Sequence, residues 1–184
     1  MTNAYNPETW HDFFVMLGGS VAALTGLLFV ATSIHINGIA KLPHWRLQAL
    51  GNTLALIGLL TEASVVLIPQ KNFALGVELI IGNLFLLFIP ILMFVYLYRL
   101  RANIYTLGLV SGMFAWILGI LGGASLIVEA GPGMYLVVAS CLSIIWLCML
   151  NAWALMTASH QTSATVKPSS NKIRSGKRAD SPRL

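Results

Sequence analysis

LQALGNTLALIGLLTEASVVLIPQKN, residues 47–72, decides how the chain is to be read. Residues 47–68 carry one charge, Glu62, and then meet the turn chemistry of PQKN. The run exceeds the roughly 20 residues that a bilayer core requires. It shows no alternation of polar and apolar positions, so a strand of a membrane barrel is excluded. A helix is the remaining way to satisfy the backbone in lipid.

Working outward, four further runs have the same character: 13–35, 73–98, 104–128 and 134–157. The breaks between the five read NGIAKLPHWR, PQKN, RLRAN and EAGPG. The whole chain of 184 residues is 57% hydrophobic and 9% charged, with a mean hydropathy of +0.80. A water-soluble domain carries about 25% charged residues, and so few charges cannot cover a surface in water. The expected fold is all-α, an integral membrane bundle of five transmembrane helices. A short N-terminal segment, 1–12, precedes the 13–157 bundle, and a basic, disordered tail, 158–184, follows it. MTNAYNPETWHD lacks a basic residue and no small-residue cleavage site follows, so the first span is expected to stay in the mature protein.

Orientation follows from Lys and Arg. Lys41, Arg46, Arg99, Arg101, Lys167, Lys172, Arg174, Lys177, Arg178 and Arg183 fall on one side of a five-span chain, and only Lys71 falls on the other. The expectation is an N-terminus outside, a C-terminus in the cytoplasm, and residence in a bacterial cytoplasmic membrane. The basic tail is expected to meet anionic lipid headgroups. No folded nucleic-acid reader accompanies that charge, so no nucleic-acid partner is expected.

Glu62 is the residue that calls for explanation. Gly58, Ala55, Gly51 or Asn52, and Gln48 share its helical face. That stripe of small and polar residues predicts a helix interface or cavity rather than lipid contact. At 1.5 Å per residue Glu62 lies about 10 Å in from Pro69. Glu78 lies at similar depth on the next span, and Glu129 stands at the outer mouth of the fourth. Intramembrane acids mark ion or proton pathways by default. The first expectation is therefore an outer-half site for a small cation or proton, formed by Glu62 and Glu78 in a homo-oligomer. The competing one is a non-catalytic partner of another membrane complex, in which Glu62 is an interhelical hydrogen-bonding residue.

Gly18, Ala22 and Gly26 on the first span, Gly51 and Gly58 on the second, and Gly108, Gly112 and Gly119 on the fourth are the expected helix-packing positions. Asn83 and Asn151 are expected to hydrogen-bond between helices. Cys141 and Cys148 lie about 10 Å apart along one helix, too far for a disulfide, and read as packing residues. No metal-ligand spacing, nucleophile elbow or phosphate loop occurs. No enzyme activity, metal or cofactor is expected.

WHDFFVMLGGSVAALTGLLFVATSIHI, with VVLIPQ and GVELIIG further on, resembles a group of small bacterial multi-pass membrane proteins. Some of that group are labelled modulators of the FtsH protease, a membrane-anchored quality-control protease. The resemblance covers roughly residues 10–90. It implies a multi-pass membrane fold and a membrane protease as the kind of partner, and it carries no site residues to this chain.

Overall fold

The structure is a computed structural model that describes residues 2–34, 43–99 and 106–165. The loop positions Lys41 and Arg101, and the tail from 166 onward, lie outside the described residues. The described chain is helical throughout. Two short 3-10 turns, Thr2–Tyr5 and Pro7–Trp10, lead into α1 (His11–Ile34), α2 (Pro43–Leu67), α3 (Asn72–Arg99), α4 (Thr106–Val128) and α5 (Met134–Thr165). All five are long and apolar enough to cross a membrane, which fits a multi-pass membrane protein.

Most boundaries fall within about one turn of the expected ones. The exception is α5, which continues to Thr165 rather than ending at 157. ALMTASHQTSAT contains no Gly or Pro, so nothing interrupts the backbone hydrogen bonds there. The first eight residues of the expected tail, 158–165, are therefore helix.

The helices α2, α3, α4 and α5 form a ring in which each packs on the next, and α1 lies against the outside of α2. The closest seam joins α3 to α4. A Cβ placed on Gly76 would stand 2.6 Å from the carbonyl oxygen of Gly123, and one on Gly123 would stand 2.8 Å from that of Gly76. Backbone touches backbone here, which only paired glycines permit. Where α2 crosses α3, the Leu86 side chain fills the place a Gly58 side chain would occupy. On α1 the buried residues Phe14, Leu17, Val21 and Leu28 form one narrow stripe. Residues flanking that stripe, such as Phe13 and Leu24, are half-buried, and the far side of α1 is exposed, with large apolar residues such as Leu27, Phe29 and Val30 facing outward. An apolar exterior over a packed interior is what lipid as a solvent demands.

The two ends of the ring differ. At one end the N-terminal turns cross the bundle as a strap. The Asn72 Nδ2 donates to the carbonyl of Tyr5 at 2.8 Å, and the Tyr5 hydroxyl donates to the carbonyl of Gly131. Ala4 is buried against Gly133, whose φ of +50° places it in the left-handed region that glycine favours. Trp10 stacks edge-on with Tyr135 at 4.9 Å. The other end carries Arg46 and Arg99 and has no such cover among the described residues.

Gly123→Val is expected to destabilise the bundle by about 1–3 kcal/mol, since two backbones would have to separate. Gly82→Ala, where a Cβ meets nothing within 4 Å, is expected to be neutral. Reversible unfolding in mixed micelles checks both.

Candidate functional site

Glu62 lies inside the ring. It is 6% exposed, one turn beyond Leu59 on the inner face of α2. Asn83 of α3 meets it. The Asn83 Nδ2 donates to Glu62 Oε1 at 3.5 Å, and also to the carbonyl of Leu79 on its own helix at 2.8 Å. Asn83 is only 1% exposed. It fits because α4 presents Gly119 to it: a Cβ there would lie 2.1 Å from Asn83 Oδ1. From α5 the fully buried Cys141 belongs to the packed core of the ring. Beside Cys141, Ser140 Oγ donates to the carbonyl of Ala115 at 2.7 Å and ties α5 to α4.

Two polar atoms of this cluster have no partner: Glu62 Oε2 and Asn83 Oδ1. Among the described residues the one ion pair is His11 with Asp12 at the exposed start of α1, so no basic side chain balances Glu62. A buried carboxylate needs a counter-charge, a proton or hydrogen-bond donors. Here it has one long hydrogen bond.

The acids expected to share a site do not share a partner. Glu78 is exposed and accepts from Gln70 Nε2 at 2.8 Å, at the turn between α2 and α3. Glu62 points to the opposite side of that seam, into the ring. The physical reason is the helical repeat: Asn83 and Leu79 hold the inner face of α3, and Glu78 stands one residue round from Leu79. Glu129 is exposed on the turn between α4 and α5, beside the strap, with a φ of +50°.

The small residues divide likewise. Gly18 approaches Ala63 of α2, and a Cβ on Gly18 would stand 3.8 Å from the Ala63 Cβ. Gly51 and Gly58 face α3, and Gly119 faces Asn83. Ala22 and Gly26 lie off the buried stripe that α1 turns to α2, and no other helix lies within 4 Å of a Cβ at Gly26. Gly108 has Asn151 Oδ1 3.9 Å from a Cβ there, and Gly112 meets nothing within 4 Å because it faces a cavity. These four positions do not dock helices closely within the monomer.

That cavity has a volume of about 290 Å³ and lies in the half of the ring nearer Arg46. Gln48 and Asn52 of α2, Pro90 and Met93 of α3, Gly112 and Trp116 of α4, and Ile144 and Asn151 of α5 form much of its wall. The Gln48 Nε2 donates to Asn151 Oδ1 at 3.5 Å. The Asn52 Nδ2 donates to the carbonyl of Cys148 at 3.3 Å, and Asn52 Oδ1 has no partner. The deepest α2 residue in the wall is Ala55, about 10 Å below Glu62 at 1.5 Å per residue. Leu59 and Trp116, both buried, fill the interval. Toward the strap, Leu75, Leu126, Met134 and Val137 are fully packed.

Glu62 and its stripe, and Asn83 and Asn151 as bridging residues, stand where the sequence leads one to expect them. Asn83 as the partner of Glu62, the pairing of Gly76 with Gly123, and the strap were not foreseen. Asn83 stands four residues from Leu79 and seven from Gly76, a stripe that could have been read like that of Glu62. No family model, curated protein or solved structure matches the chain.

Gly119→Ala is expected to expel the Asn83 side chain and cost about 1–3 kcal/mol. In an Asn83→Ala background the same change is expected to cost little. A double-mutant cycle on unfolding free energy measures that coupling.

Proposed function

We propose that the chain is a multi-pass protein of a bacterial cytoplasmic membrane in which Glu62 binds a proton or small cation and passes it across the bundle. The supporting observation is the state of Glu62: a carboxyl group inside the ring, one long hydrogen bond from Asn83, no basic partner among the described residues, and one oxygen bare. A proton or small cation supplies what that oxygen lacks. The N-terminus is outside and the C-terminus inside, as the ten-to-one distribution of Lys and Arg supports.

The path is asymmetric. From the Arg46 end the cavity reaches to within about two turns of Glu62, with Trp116 and Leu59 between. From the strap end the packed core and the Tyr5–Gly131 and Asn72–Tyr5 bonds close the way. In this conformation Glu62 is closed off from both ends, with the thinner barrier on the Arg46 side. Passage requires the strap end to loosen while the cavity closes, and the small faces and single side-chain plugs permit that kind of shear.

A second reading is supported by α1. Its Gly19 and Gly26 have no neighbour within 4 Å of a Cβ, and with Ala22 and Ala23 they lie off the buried stripe. Such a face accepts a second copy of the chain or a helix of another membrane complex. In that case the protein is a regulatory or assembly partner, for which a membrane protease is the candidate, and Glu62 is structural.

Liposomes holding the purified protein decide between them. Proton or cation flux is expected from wild type, with loss to the level of protein-free liposomes in Glu62→Gln and near-normal flux in Glu78→Gln. Absence of flux from folded wild type, or equal flux in Glu62→Gln, overturns the transport reading.

A further inference from the structure

The cavity is not an isolated void. On the lipid-facing side of α2 and α3 runs a groove of about 820 Å³, lined by Leu50, Leu54 and Leu92, with Arg46 and Tyr96 at its end. Groove and cavity share Gly51, Ile89 and Met93 as walls. The partition between them is slight: the Met93 sulfur lies 3.4 Å from where a Gly51 Cβ would stand. The Met93 thioether, resting on Gly51 with Ile89 beside it, separates groove from cavity, and such a flexible side chain swings readily.

Both compartments are graded in the same sense. The polar groups, Arg46 in the groove and Gln48 with Asn151 in the cavity, gather at one end. Asn52 stands one turn deeper in the cavity, and beyond it the wall is apolar up to Trp116 and Ile144. Among the described residues no charged side chain lines the cavity, and Arg46 is the one charge on the groove. Gly112 turns bare backbone toward the cavity, and a Cβ there meets nothing within 4 Å.

We infer that this paired cavity and groove is a binding site for one anionic phospholipid of the adjoining leaflet, one acyl chain inside the cavity, the other along the groove, straddling Met93, and the headgroup at Arg46. Two adjoining slots, apolar beyond their polar mouths and with a single cation at the end of one, match a two-chain lipid with a negative head. The volume of the inner slot is near the lower end of small-molecule pockets, which suits part of one chain. The polar amides at the mouth suit the ester region, and the chain end comes to rest at Trp116. The inference rests on the membrane reading of the five helices and not on the role of Glu62; a chain seated in the cavity closes the approach to Glu62 from the Arg46 side, so bound lipid and ion passage exclude one another.

The test uses the full chain in phosphatidylcholine vesicles, into which phosphatidylglycerol brominated at the chain ends is titrated. Trp146 and Trp153, 68% and 70% exposed, report bromine in the surrounding lipid through a component that rises without saturating. Trp116, 4% exposed, is expected to add a component that saturates at low mole fraction. That component should vanish in Trp116→Phe, which removes the reporter, and in Gly112→Leu, whose Cβ meets nothing within 4 Å and whose side chain enters the slot. Arg46→Gln should raise the half-saturation point roughly fivefold, the effect of one basic residue on an anionic head. Equally brominated phosphatidylcholine should give the unsaturating component alone.

A signal with no saturating component overturns the proposal. So does saturation by phosphatidylcholine equal to that by phosphatidylglycerol, or saturation by a bromo-terminated fatty acid when the phospholipid gives none, which would make the occupant a single-chain acid. Loss of the unsaturating component as well would show instead that the helices are not in the bilayer, and so marks failure of the membrane reading.

Discussion

Everything in this bundle is arranged around one carboxyl group that has no counter-ion among the described residues. Glu62 occupies the inside of a ring of four helices, met by Asn83, which itself fits only because α4 has glycine at 119. A larger residue at any of these points would move a helix. The cluster is also incompletely satisfied, since Glu62 Oε2 and Asn83 Oδ1 lack partners. An unsatisfied buried polar atom costs about 1–3 kcal/mol. A chain that only needed to pack would do better with Leu or Gln at 62. In the transport reading proposed above, the proton or cation bound at Glu62 offsets that cost.

The rest of the fold explains why that cost does not undo the bundle. The Gly76–Gly123 contact locks α3 to α4 on the strap side, and the strap ties the turns of that end together through Tyr5, Asn72 and Gly131. Toward Arg46 the helices separate around a cavity lined by Pro90, Gly112 and Trp116. A tight half and a loose half, with the acid near the border, give the molecule one end that is closed and one that has room to rearrange. Proline and open glycine on the loose side leave fewer backbone and side-chain contacts to break there.

The five helices were legible because a bilayer-length apolar run is a stronger signal than any local propensity. The stripe around Glu62 was legible for a similar reason: small and polar residues at helical spacing in an apolar run have one economical explanation. The partner of Glu62 was not. Glu78 and Asn83 lie on the same helix five residues apart, and which of them turns inward depends on how α3 rotates against α4, which the Gly76–Gly123 contact sets. Likewise Gly26 and Gly18 look equivalent in the sequence, yet only Gly18 falls on the face that meets α2. The strap was invisible because TNAYNPETW carries no hydrophobic periodicity, and its hold on the bundle comes from turns distant in sequence.

Infrared difference spectroscopy of the reconstituted protein across a pH jump tests the central role of Glu62 most directly. A carboxyl carbonyl band is expected to appear and disappear with the jump, to be absent in Glu62→Gln, and to shift in Asn83→Ala because its hydrogen bond is lost. A spectrum unchanged by Glu62→Gln, or a Glu62 band indifferent to Asn83, would contradict that role.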